Sequence, residues 1–324
     1  MWFCECSPIT RVAGSPLPGI PLGHNPFSKA FPWGKVARAS PASARRMREK
    51  APLADQGSRG APVPVRCTMV LESVNYYRFT AYFLPFKQKD GTYRDGTRFQ
   101  RVYRIYEFDR KLRSVLFSAL EEVEVYLRAK FAYFHAHKYG AEGYMDTANY
   151  SSHHQAEKFK GNLAREIASN KRSAFVIHHN EHYDGHFPIW AVVELFTFGM
   201  LSRFYSDMTT ADQKCLAREL YDTIPKNIIS WLRCCTDLRN ICAHYGRLYY
   251  RIFPATPANV DATVSQSRQL WGAILALKAL YPDCQKWNTE ILPQLCALFE
   301  EYDDDIALVH IGFPKDWSQK LEMQ

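Results

Sequence analysis

Between Cys234 and Arg251 the chain reads CCTDLRNICAHYGRLYYR, a stretch crowded with side chains capable of chemistry. Cys234, Cys235, Cys242 and His244 are all competent metal ligands. Arg239, Arg247 and Arg251 carry permanent cations shaped to grip phosphate. Histidine exchanges a proton near neutral pH, and His244 is the one histidine in the stretch. Three readings stand open: a metal site, the packed face of a helix, or a catalytic strip.

Spacing narrows these readings. From Pro225, the apolar residues Trp231, Cys234, Leu238, Ile241, Tyr245, Leu248 and Ile252 recur at intervals of three and four, as on one face of a helix. Arg233, Asp237, Asn240, His244, Arg247 and Arg251 recur in the same way. At roughly 100° per residue this polar stripe lies about 160° from the apolar one. Gly246 weakens the helix beyond that point, so Arg247 and Arg251 are held less securely. Cys234 falls on the apolar face and His244 on the polar face, so the metal ligands diverge. Structural zinc is usually held by paired cysteines on two elements, and the chain has no C-x-x-C. We therefore expect no metal and no cofactor. A solvated amphipathic helix stays open, because a chain with this many arginines and histidines holds about one R-x4-H pair by chance.

The surrounding chain must position this helix. With 324 residues, 47% of them hydrophobic and 23% charged, the composition is globular. No run of 18 apolar residues suggests a membrane span, and the start lacks the apolar core of a secretory signal. The nine cysteines then read as reduced thiols of a cytoplasmic protein. The net charge of +8 sits mostly in residues 1–66, where ten basic residues face three acidic ones. The same segment holds ten of the 18 prolines and shows no periodicity. It is expected to be a disordered basic leader over residues 1–68, with one helical domain over 69–324. Overall charge gives that nearly neutral body no nucleic-acid signature.

From residue 69 the pattern is helical and strand signals are weak. FQRVYRIYEFDRKLRSVLFSALEEVEVYLRAKFAYFHAHKYG predicts one long amphipathic helix or two, capped at Gly140. GNLAREIASNKRSAFVIHHNEHY and PIWAVVELFTFGMLSRFYSDM each predict a helix, the second buried. TTADQKCLARELY carries a threonine cap signal. Two more helices follow in SQSRQLWGAILALKALY and WNTEILPQLCALFEEY, with IGFPKDW folding back on them. The expected class is all-α, a helical bundle with a C-terminal helical extension.

The hexapeptide RNICAH resembles the R-x4-H motif of HEPN-fold ribonucleases. VNYYRFTAYFLPF, YEFDRKLRSVLFSALEEVEVYLRAKFAY, PIWAVVELFTFGMLSRFY, SWLRCCTDLRNICAHYGRLYYR and IGFPKDW resemble, in order, the blocks of the Abi-like (abortive infection) branch of that superfamily. The resemblance spans about residues 70–320. Two departures are visible: proline-rich sequence replaces the family's opening helix, and Tyr245 follows the motif histidine where many relatives carry a second histidine. The resemblance implies a HEPN-like bundle and a metal-independent RNA endonuclease, a toxin of antiviral defence. The 2′-hydroxyl would attack the adjacent phosphate, with His244 as general acid/base, Arg239 on the phosphate and Asn240 orienting the site. Arg247 and Arg251 would hold flanking RNA phosphates. Arg239 and His244 diverge by about 140° on one helix, so the implied solution is a homodimer with a composite active site. An antitoxin or a phage-derived trigger would be a further partner, and no membrane is implied. The alternative is a non-enzymatic HEPN sensor or partner-binding scaffold in a defence or toxin–antitoxin system.

Other candidates have plainer readings. His178, His182 and His186 recur every four residues, but Gly185 and Pro188 suggest that the helix ends first. Glu121, Glu124 and Arg128 read as buried polar partners, and Asp109 with Arg113 as an ordinary i, i+4 pair. Tyr76, Tyr77 and Arg78 fit packing onto the last helix better than stacking on bases.

Overall fold

A computed structural model describes residue 70 and residues 73–260 and 268–323. The expected leader, residues 1–68, lies outside the described residues. Among those described, there are helices and two isolated β-bridges, Lys87 with Tyr93 and Tyr150 with Met208. No helix among them is long and apolar enough to cross a membrane. The all-α expectation holds.

Helix α1 (Tyr76–Thr80) leads through a loop into α2 (Phe99–Tyr139), a single helix of 41 residues. Its buried row runs through Val102, Ile105, Phe108, Leu112, Leu116, Val123, Leu127 and Phe131. At 1.5 Å per residue the helix is about 60 Å long and serves as the spine of the bundle. Gly140 ends it with φ of 80°, where glycine carries no Cβ penalty.

The next two expected helices are each divided. The first is α3 (Ala156–Ser169) and α4 (Ala174–His182). Asn170 turns its side chain back to the Glu166 carbonyl at 2.9 Å and its own carbonyl accepts from the Ser173 amide, closing the first helix. The second is α5 (Ile189–Val192), a 3-10 turn over Val193–Leu195, and α6 (Phe198–Asp207). Thr197 restarts the helix, its hydroxyl accepting from the Met200 amide at 3.2 Å. Thr209 caps α7 (Thr210–Tyr221) in the same way.

Helix α8 (Pro225–Ala243) carries the R-x4-H arginine. It packs against α2, α6, α7 and the apolar helix α9 (Leu270–Leu280). A short turn, α10 (Cys284–Lys286), and a π-helical turn over Trp287–Ile291 precede α11 (Leu292–Glu301). The tail folds back as expected. Phe313 and Trp317, the latter opening α12 (Trp317–Leu321), lie 5.1 and 4.8 Å from the Phe299 ring, and Phe313 lies 4.9 Å from Trp271.

Candidate active site at the end of helix α8

Helix α8 buries Trp231, Cys234, Leu238 and Ile241, as the apolar stripe requires. It stops sooner than the stripe suggests. The Gly246 amide donates to the Ile241 carbonyl at 2.7 Å, and the Tyr245 amide donates to Cys242 at 3.1 Å. These two bonds close the helix by a Schellman turn. Tyr245 takes the left-handed conformation, φ 55°, at a cost of roughly 1–2 kcal/mol for a residue with a Cβ. Gly246 is needed for close approach: a Cβ there would lie 3.0 Å from the Ile241 side chain and 3.2 Å from its carbonyl oxygen. The expected helical face through Tyr245 and Ile252 is therefore corrected. Both side chains are exposed, while Leu248 and Tyr249 turn inward in a non-helical segment.

That segment takes its hydrogen bonds from side chains of α1 and α2. Arg78 donates to the Tyr245 carbonyl at 2.5 Å. Arg113 donates to the Gly246 carbonyl at 3.0 Å. The Asp109 carboxylate accepts from the Leu248 amide at 3.1 Å and the Tyr249 amide at 2.8 Å. It also accepts from the Tyr82 hydroxyl at 2.6 Å and is ion-paired with Arg113. Asp109 is fully buried and Arg113 nearly so. Burial pushes the Asp109 carboxyl up, against the opposing pull of Arg113, Tyr82 and the two amides. The pair is thus not an ordinary surface pair but the anchor of the chain after the motif. Downstream, His310 joins Tyr249 (Nδ1, 2.9 Å) and Tyr250 (Nε2, 2.7 Å), and burial, then Arg101 and Arg94, lower its pKa.

A second polar group forms where α8 crosses α2. The Arg239 Nε stands 3.6 Å from Glu124 Oε2. Glu124 also accepts from Arg128 at 2.7 Å, and Arg128 donates to the Phe196 carbonyl at 2.8 Å and approaches Glu194 at 3.7 Å. The Nε atoms of Arg128 and Arg239 are buried without hydrogen-bond partners. The Arg239 side chain remains 28% exposed. Glu124, buried, and Arg128, half-buried, are polar partners as expected from the sequence, and Glu124 also meets the motif arginine; Glu121, read with them, is exposed instead. One signal could have marked them: Asp109 and Glu124 both occupy apolar-phase positions, between Ile105 and Leu112 and between Leu120 and Leu127.

The other expected site residues are placed as follows. Asn240 is exposed one turn before His244, and its carbonyl accepts the His244 amide at 3.0 Å. His244 is exposed just past the helix end, and no hydrogen bond joins it to Arg239 among the described residues. Arg247 is half-buried; its guanidinium donates to the Ala81 carbonyl and lies 6.0 Å from the Tyr82 ring centroid. Arg251 is half-buried, donating to the Arg247 carbonyl at 3.5 Å, with its Nε buried and unpartnered. Burial raises the Asp237 carboxyl, opposed by Arg233 and Arg251. The structure thus brings Asn240 and His244 to one surface, leaves Arg239 at the α2 crossing, and turns Arg247 toward the α1 loop.

The cysteines belong to packing. Cys234, Cys235 and Cys242 are buried, and burial pushes Cys234 and Cys242 up to about 12. Among the described residues no group of three or more metal-ligating side chains is gathered. Helix α4 ends at His182, so His186 leaves the row of histidines and meets Glu142 at 3.0 Å instead. Tyr77 is exposed, and Arg78 latches the end of α8 rather than the last helix, where packing was expected.

Residues 69–250 match the family described as Abi-like protein, from just before α1 to just past the Asp109-anchored segment. No curated protein and no solved structure matches the chain. The family match covers more than half of the chain and holds both polar groups together with the R-x4-H helix, so the chain belongs to the Abi-like protein family.

Proposed function

We propose that the protein is a metal-independent RNA endonuclease of the HEPN superfamily, acting as a toxin in abortive-infection defence. One observation carries this reading: a motif arginine held by Glu124 and still partly open, on the helix that presents Asn240 and His244 to solvent. In the reaction, His244 takes the proton of the RNA 2′-hydroxyl as that oxygen attacks the adjacent phosphorus. The bond to the 5′-oxygen breaks, and a proton returns to that oxygen. The products are a 2′,3′-cyclic phosphate and a 5′-hydroxyl. Arg239 stabilises the charge gathered on the phosphoryl oxygens. Arg239 faces α2 and His244 faces out, so two copies, each supplying one motif, would complete a cleft that one copy leaves open.

The purified protein should cut single-stranded RNA equally with and without EDTA, leaving cyclic phosphate ends. His244→Ala should lower cleavage about 10²- to 10⁴-fold with an unchanged melting temperature. Unaltered cleavage in that variant would overturn the assignment. The second reading is a non-enzymatic, partner-binding HEPN scaffold. It is favoured by the absence, among the described residues, of any hydrogen bond between Arg239 and the His244 side chain. Intact RNA after incubation with the wild-type protein would select it.

A further inference from the structure

The five residues after His244 form a short non-helical link whose backbone is held by distant side chains. A buried peptide group must find a partner; helix α8 supplies them for the Tyr245 and Gly246 amides, and beyond those the partners are side chains. Arg113 meets the Gly246 carbonyl, and Asp109 meets the amides of Leu248 and Tyr249. Tyr82 completes the carboxylate's coordination, and its hydroxyl also lies 3.4 Å from Arg113 Nη1. The network joins the α1 end, the N-terminal part of α2 and the chain after α8. Its fixed end lies two residues from His244, whose other side is bound into α8 through Asn240. His244 itself is exposed, with no side-chain partner among the described residues to orient it. Its placement is therefore set by its backbone, and its backbone is set by the two anchors.

We infer that Asp109, supported by Arg113 and Tyr82, is a positioning residue that fixes where His244 stands for proton transfer. Asp109 touches no reacting atom; it acts through the 246–249 backbone and the left-handed turn at Tyr245. This inference rests on the ribonuclease reading for its catalytic meaning, but the anchoring itself is measurable without activity. One guanidinium nitrogen of Arg113, Nη1, serves two acceptors at once, the Asp109 carboxylate and the Gly246 carbonyl.

The test uses the full chain with Asp109→Asn and Tyr82→Phe. Cleavage of a single-stranded RNA oligonucleotide gives kcat and KM, NMR follows the His244 imidazole signal, and hydrogen exchange follows the Leu248 and Tyr249 amides. Displacing a catalytic group by about 1 Å can cost about 100-fold, so Asp109→Asn should lower kcat by about 10- to 100-fold. KM should change less than kcat, since Asp109 itself touches no substrate. Tyr82→Phe should lower kcat less. In both variants the His244 signal should move and the two amides should exchange faster, while protection along α2 is retained. If Asp109→Asn does not fold, Tyr82→Phe decides alone. Wild-type kcat together with an unmoved His244 signal in Tyr82→Phe would overturn the inference. A wild-type protein that leaves RNA intact would sink the ribonuclease reading, and the NMR and exchange results would still judge the anchor.

Discussion

Two acid–arginine pairs stand on the same helix about four turns apart, Asp109 with Arg113 and Glu124 with Arg128, and both reach toward α8 or the chain leaving it. Their sequence spacing is identical, and each acid lies in the apolar phase of α2. Their surroundings differ. Asp109 accepts from two backbone amides, a tyrosine and an arginine, and is sealed from water. Glu124 serves Arg128 and, at 3.6 Å, Arg239, leaving two guanidinium Nε atoms without partners. A saturated buried network specifies a backbone path, whereas an incompletely satisfied one keeps a cation available at a cost in stability. A third group sits further along α2: His135 is buried among Tyr139, Tyr150 and Phe204 with neither ring nitrogen bonded.

The contrast makes graded predictions. Asp109→Ala should cost the most, about 3–5 kcal/mol, because it strands Arg113 and two amides in the interior; urea denaturation reads the loss. A cost below that of Glu124→Ala would reverse the comparison. Arg239→Gln should lower RNA cleavage about 10²- to 10³-fold with little change in the denaturation midpoint, as expected of the open group. A large stability loss with normal cleavage would move Arg239 into the structural class.

His135 gives a pH test. Burial first, and then Lys138 against the opposing Asp212, lowers its pKa from 6.5 to about 4. The unfolded chain therefore takes up a proton that the folded chain refuses. Stability from this group is complete above pH 6.5 and falls as the pH drops toward 4, by about 3 kcal/mol at most. His135→Phe should flatten that part of the acid-denaturation profile; an unaltered slope would show that His135 is not the group titrating. Smallest is Glu124→Gln, about 1 kcal/mol in denaturant melts, since an amide can still accept from Arg128.

Much of the fold was legible in residue periodicity. The apolar row of α2, Gly140 at its end, the threonine before α7 and the aromatic tail all stand where their patterns put them. These are local effects, of side-chain phase, caps and left-handed turns. The breaks at Asn170 and at Phe196–Thr197 were hidden because the apolar pattern runs on past the point where a side chain captures the backbone. At the site, the motif residues were readable from type and resemblance, but their partners were not. Glu124 and Asp109 are sequence-distant from α8, and only their position in an apolar phase betrayed them.

The order of amino acids by itself determined that this chain is helical, that α8 buries Trp231, Cys234, Leu238 and Ile241, and that Arg239 and Asn240 lie in its last turns with His244 at its end. Tertiary structure decided where α8 stops. The three–four spacing continues to Ile252, yet the helix closes at Ala243 because Asp109 and Arg113 draw the next backbone groups inward and Gly246 folds against Ile241. It also decided that Arg247 serves the Ala81 carbonyl and that Arg239 meets Glu124. Periodicity records which side of a helix is apolar; which polar group finds a partner depends on what another element brings within hydrogen-bond distance.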